Sequence, residues 1–143
     1  MKRGIQIVLS FVILATIGCT QKTSEQLIIE GSKLSADNDF DGAVKKFDKV
    51  IAENPTYVDA YFERALANVR RDSFDLAVVD YTKIIELNPK PNDGQFIANL
   101  YFSRANVYYQ NVQDTLACGD WKKACRQFGH TSACNSLRLN CKK

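Results

Sequence analysis

The sequence predicts an all-α chain, an α/α solenoid of three helix pairs closed by a capping helix, on three observations. Shifting the sequence by 34 residues superimposes Gly31 on Ala65, Phe40 on Phe74, Asp41 on Asp75, Ala43 on Ala77, Phe47 on Tyr81 and Asn54-Pro55 on Asn88-Pro89. A further shift of 40 carries Tyr61-Phe62, Arg64-Ala65, Ala77, Asp80-Tyr81 and Lys83 onto Tyr101-Phe102, Arg104-Ala105, Ala117, Asp120-Trp121 and Lys123. Within the copies, apolar residues recur at helical spacing, as in Ala43, Phe47, Val50 and Ile51 and then Ala77, Tyr81, Ile84 and Ile85.

The first element stands outside that array. Lys2 and Arg3 open the chain, an apolar run extends from Ile5 to Ile17, and Gly18-Cys19 ends it, the order of an export signal. The run is shorter than the ~20 residues a bilayer-spanning helix needs. Thr16-Ile17-Gly18-Cys19 resembles a bacterial lipobox, with Thr16 where leucine is usual. That resemblance implies a lipoprotein-type signal over residues 1–18, a lipid on Cys19 and a short tether over 19–25. Thr20 rather than aspartate after the cysteine resembles lipoproteins sent onward, so the expected location is a bacterial outer membrane, facing the periplasm.

The 143 residues carry 19 lysines and arginines against 16 acids, and two of those bases, Lys2 and Arg3, lie in the signal. Beyond the signal the chain is nearly neutral, which speaks against a nucleic-acid partner. Lys122, Lys123, Arg126, Arg138, Lys142 and Lys143 do gather near the C-terminus beside Asp120 alone, as a solvated face.

The next elements are the helix pairs. A 34-residue period with small, small, aromatic and proline punctuation resembles the tetratricopeptide repeat, TPR, from about Ser24 to Arg126. The resemblance implies a right-handed solenoid over residues 26–143, with repeats at about 24–57, 58–91 and 98–129 and a cap at about 131–141. Gly31, Ala65 and Ala105 mark close approach on the first helices, and Ala43, Ala77 and Ala117 do so on the second. Asn38-Asp39 and Arg71-Asp72-Ser73 turn the chain between helices, and Pro55 and Pro89 end each unit. The six-residue insertion, Lys90 to Gln95, is rich in turn formers and lengthens the connection into the third unit.

The last element holds four cysteines, Cys118, Cys125, Cys134 and Cys141, spaced 7, 9 and 7. Residues seven apart lie on one helix face, about 10 Å apart, beyond disulfide reach and too far for one tetrahedral zinc. Folding the hairpin about Gly129-His130-Thr131 nests Cys125 with Cys134 and Cys118 with Cys141, and export favours their oxidation. The stretch from Asp120 through Leu137 resembles half of a cysteine-containing Sel-type repeat. That implies a cap with Ala133 and Leu137 inward and Arg138 and Lys142 outward.

The TPR resemblance also implies binding of a protein or peptide in the concave groove of the first helices. The groove candidates are Phe62, Leu66 and Arg70 in the second unit and Phe102, Asn106 and Tyr109 in the third, with Tyr61 and Tyr101 turned to the core. Ile28 and Ser32 stand where some members begin a lysine and asparagine clamp for a chaperone's C-terminal carboxylate, so that ligand is not expected. The single histidine, His130, lies in a predicted turn, and no nucleophile, phosphate-cradling glycine loop or metal-ligand spacing accompanies it. Asp37, Asp39 and Asp41 lie in a turn unlike a calcium loop. The expected function is therefore non-enzymatic, with no cofactor, metal or small-molecule substrate. It is either a membrane-anchored interaction scaffold or a structural accessory subunit of an outer-membrane or secretion complex.

Overall fold

The computed structural model describes residues 22–141. The stretch read as an export signal, Cys19 with it, and Lys142 and Lys143 lie outside the described residues. Within them the chain forms seven helices and no strand: α1 (Ser24–Ala36), α2 (Phe40–Glu53), α3 (Val58–Arg70), α4 (Phe74–Leu87), α5 (Gly94–Gln110), α6 (Asp114–Phe128) and α7 (Thr131–Asn140). Consecutive helices pack on one another, and α1 also touches α3. This is the all-α helical solenoid expected from the repeat.

Capping side chains mark the starts of α1, α2, α5 and α7. Thr23 and Gln26 form a reciprocal capping box at α1, the Thr23 N–H donating to Gln26 Oε1 at 3.0 Å and the Gln26 N–H to Thr23 Oγ1 at 3.3 Å. Asp39 Oδ1 accepts from the Gly42 N–H and Asp93 Oδ1 from the Phe96 N–H, each at 2.9 Å. The latter cap moves the start of the third unit. Gly94 and Gln95, expected in the connecting loop, form the first turn of α5, a turn earlier than residue 98. Phe96 then packs on the core of the second unit, which rewards the longer helix.

The turns inside the pairs are copies of one another. Asn38, Asp72 and Val112 all take left-handed backbone, with φ of 63°, 56° and 56°. The N–H groups of Asp39, Ser73 and Gln113 each donate to the carbonyl five residues back, on Leu34, Asn68 and Tyr108, at 2.8, 2.9 and 2.8 Å. Such bonds satisfy carbonyls that the helix end leaves open.

Small residues let the first and second helices close on a large one. A Cβ on Gly31 would lie 2.5 Å from the Phe47 ring, and Phe47 is fully buried. The same places hold Ala65 with Tyr81 and Ala105 with Trp121, all buried. Tyr61 and Tyr101 also face the core.

An ionic rung recurs with them. Glu30 pairs with Lys46 at 3.0 Å in the first unit. In the second, Arg64 meets Asp80 with Nη2–Oδ1 at 2.6 Å and Nε–Oδ2 at 3.1 Å. In the third, Arg104 meets Asp120 with Nε–Oδ2 at 2.7 Å and Nη2–Oδ1 at 3.0 Å. Each arginine also reaches back to the preceding second helix, Arg64 to Asp48 and Arg104 to Thr82 Oγ1 at 2.8 Å.

Candidate functional site

The first helices carry the residues expected to bind, and the structure divides them into two groups. On α3, Leu66 is 42% exposed and stands with Arg70 in a cleft of about 250 Å³, between α3 and the junction of α1 with α2. Ser35, Ala36 and Phe40 form the opposite wall, and Glu63 and Ala67 complete the α3 side. Positions 63, 66, 67 and 70 are one helical face, so α3 presents Glu63 to the cleft where Phe62 was expected. Burial pushes the Glu63 carboxyl above its ordinary range, with Asp59 adding to the shift. The cleft is thus an apolar patch between an acid and a base.

Phe62 is a packing residue. It is half-buried, its ring edge-on to Tyr81 with centroids 6.0 Å apart, against the core of the second unit. Phe102 likewise packs, stacked on the His130 ring at 4.6 Å. Both rings are half-buried against a partner later in the chain, Tyr81 of α4 and the α7 cap residue His130, so neither stands as a freely exposed groove aromatic.

The remaining groove candidates are engaged by the C-terminal hairpin. Asn106 Oδ1 accepts from the Trp121 indole N–H at 3.0 Å. Tyr109 lies 5.3 Å from the Trp121 ring, centroid to centroid, and its hydroxyl donates to Asn140 Oδ1 at 3.3 Å. His130 caps α7, its Nδ1 accepting from the Ala133 N–H at 3.1 Å. That leaves the proton on Nε2, which donates to Asn99 Oδ1 at 3.0 Å. Contacts of α5 at Asn99 and Tyr109 with α7 at His130 and Asn140 run in the same order, so α7 lies parallel to α5. It takes the place that the first helix of a fourth unit would have.

Two disulfides hold it there. Cys125 is joined to Cys134 with Cα atoms 4.8 Å apart, and Cys118 to Cys141 at 5.7 Å. Ala133 is fully buried against the third unit, Leu137 packs beside it, and Arg138 is exposed. Among the described residues no cluster of histidine, cysteine and carboxylate could hold a metal ion, and no helix is long and apolar enough to cross a membrane.

No family model matches the chain. Serine/threonine-protein phosphatase 5 of Rattus norvegicus is 27% identical over 109 residues, 76% of this chain, and that of Homo sapiens is 26% identical over 107 residues, 75% of this chain. The matched stretch spans only 19% of the length of these relatives, and it is their TPR region. Among solved structures, the N-terminal domain of stress-induced protein-1 from C. elegans superimposes with a TM-score of 0.75 at 18% identity, covering 83% of this chain and 94% of that one. The first TPR of Spaghetti, bound to an HSP90 peptide, gives 0.66 at 21% identity, covering 80% and 87%. The Arabidopsis OM64 TPR domain gives 0.65 at 23%, covering 80% and 93%. Capped helix pairs in a 34-residue register and these superpositions agree: the chain has the fold of a TPR helical solenoid.

Proposed function

We propose that this chain is a protein-interaction module, binding a peptide or an extended segment of another protein at the cleft of Glu63, Leu66 and Arg70. The carrying observation is that cleft itself. An exposed leucine, flanked by a partly buried acid and an exposed base, combines an apolar anchor with a polar rim, the usual anatomy of a partner site. The Spaghetti TPR, similar in fold, holds a peptide, which supports a peptide as the ligand class here. The TPR region shared with the phosphatases supports a non-enzymatic role. In this reading the module needs no cofactor, and nucleic acid and small-molecule substrates are not its partners.

The N-terminal residues add the setting. The order of Lys2 and Arg3, the apolar run and Cys19 supports export and a lipid anchor on Cys19, and with them a position on a bacterial membrane, the outer one facing the periplasm. The Sel-type character of the hairpin from Asp120 to Leu137 belongs to the same reading, a disulfide-closed cap suited to an oxidising compartment. The accessory-subunit reading rests on another surface, the exposed Val112, Leu116 and Leu139 toward the C-terminal end.

One experiment separates them. A photo-crosslinking residue is placed at Leu66 in one strain and at Leu139 in another, each with wild-type Cys19 or Cys19→Ser. The expected result is a discrete adduct from Leu66, lost when Arg70→Glu is added, together with loss of acyl labelling and membrane retention in the Cys19→Ser chain. An adduct from Leu139 alone would support the accessory subunit instead, and retained acylation without Cys19 would overturn the anchor.

A further inference from the structure

A second cleft opens on the other side of α3, between the second helices α2 and α4. It measures about 210 Å³, and Val44, Leu76 and Val79 form its apolar walls. Leu76 and Val79 are both exposed. The polar side is the ionic rung of the second unit, Arg64 with Asp48 and Asp80, together with Asn68. Asn68 is only 2% exposed, and among the described residues its Oδ1 has no hydrogen-bond partner. Its Nδ2 faces Asp80 Oδ2 at 3.4 Å, which fixes the amide orientation and leaves the oxygen as the open acceptor. A buried acceptor left open costs ~1–3 kcal/mol.

The geometry points to a binding site for one aromatic side chain of a partner, a ring carrying a hydrogen-bond donor, as in tyrosine or tryptophan. The volume is below the ~300–1,000 Å³ of ordinary small-molecule pockets, so a single ring fits better than a whole ligand. Arg64 already bridges Asp48 and Asp80: a partner carboxylate would face both acids, and a partner cation would have to compete with the guanidinium for them. A ring with an O–H or N–H avoids both and supplies the donor that Asn68 Oδ1 lacks.

The chain itself supplies the precedent. Under the 40-residue shift that relates the second and third units, Arg64 corresponds to Arg104, Asp80 to Asp120 and Asn68 to Tyr108. The Tyr108 ring lies 5.8 Å from the Arg104 guanidinium carbon. Where the third unit provides its own phenol beside the rung, the second provides a small amide and a cleft. The site therefore accepts from a partner what Tyr108 provides within the chain. It is distinct from the Leu66 cleft and is independent of that assignment.

The probe is p-cresol, the tyrosine side chain alone, titrated into the full oxidised chain and followed by methyl NMR, with toluene as the same ring without the hydroxyl. The expected result is a saturable shift confined to the methyls of Val44, Leu76 and Val79, with toluene binding about tenfold more weakly, the worth of one hydrogen bond. Asn68→Leu brings p-cresol down to the affinity of toluene. Leu76→Glu, at an exposed position in the first turn of α4, removes binding of both without touching Asn68. Equal affinity for the two probes in the wild-type chain would overturn the site as a donor-reading one, a comparison that needs no variant to fold. The absence of a saturable shift would overturn it outright, leaving Asn68 to an ordered water.

Discussion

Val112 closes the turn between α5 and α6 in left-handed backbone, φ 56°, while its side chain is 84% exposed. Nothing buried repays the strain of a β-branched residue there, which is about 1–2 kcal/mol for an L-residue and least for asparagine, whose side chain tolerates this region. Asn38 already occupies the matching turn of the first unit with φ 63°. Val112→Asn is therefore expected to stabilise the chain by about 1 kcal/mol, read as a higher urea midpoint at unchanged slope. An unchanged or lower midpoint would show that the valine is held by something other than its turn. Gly31 illustrates the opposite case, since its missing Cβ is occupied by the Phe47 ring. The small-residue periodicity made that position legible in the sequence, whereas the backbone sign at Val112 had no such signal. Valine is a residue that the turn rules would not choose.

Between helices, the rungs differ in burial and so in energetic weight. The side chains of Arg104 and Asp120 are 15% and 11% exposed, against 35% and 34% for Glu30 and Lys46. The exposed pair is screened and contributes at most ~1 kcal/mol, while removing one partner of a buried bidentate pair strands a charge at ~3–5 kcal/mol. Arg104→Met should cost about 3 kcal/mol in chemical denaturation, and Arg104→Met with Asp120→Leu should recover most of it, because the uncompensated carboxylate is gone. Equal loss in single and double variants would mean that the contact with Thr82, not the charge pair, carries the rung. The arginines and aspartates repeat visibly in the sequence, yet their partnership is a property of helix crossing. Crossing also explains the shifted face of α3. On a helix that turns about 100° per residue, Leu66 and Arg70 lie between Phe62 and Glu63, so a rotation of tens of degrees decides which of the two borders the cleft, and periodicity alone cannot choose between them. The place of α7 beside α5 was similarly hidden, being written in the contacts of Asn99 with His130 and Tyr109 with Asn140, each 31 residues apart.

Across the whole molecule the solenoid is a line of neighbours, so each end has only one side on which to pack, and three units are near the minimum for such an array. The two ends are secured differently. α1 packs through the buried Leu27 and Gly31, and beyond that rests on a capping box and on the pairs of Glu30 with Lys22 and Lys46, all near the surface. α7 is a short helix with one fully buried residue, Ala133, and two disulfides that close chain separations of 9 and 23 residues. Loops of that size make each bridge worth ~2–4 kcal/mol, more than so small a helix gains from packing. Replacing Cys118, Cys125, Cys134 and Cys141 by alanine should therefore lower the melting temperature by roughly 10 °C or more. It should also change the order of opening. In the oxidised chain the amides of α1 exchange with solvent before those of α7; without the bridges α7 should exchange first, and Phe102 and Tyr109 lose their partners His130 and Asn140. Hydrogen exchange followed by mass spectrometry reads both helices in one measurement. A lower melting temperature with the α7 amides still protected would assign the bridges to the unfolded chain alone, and would leave packing at Ala133 and Leu137 as what holds the cap.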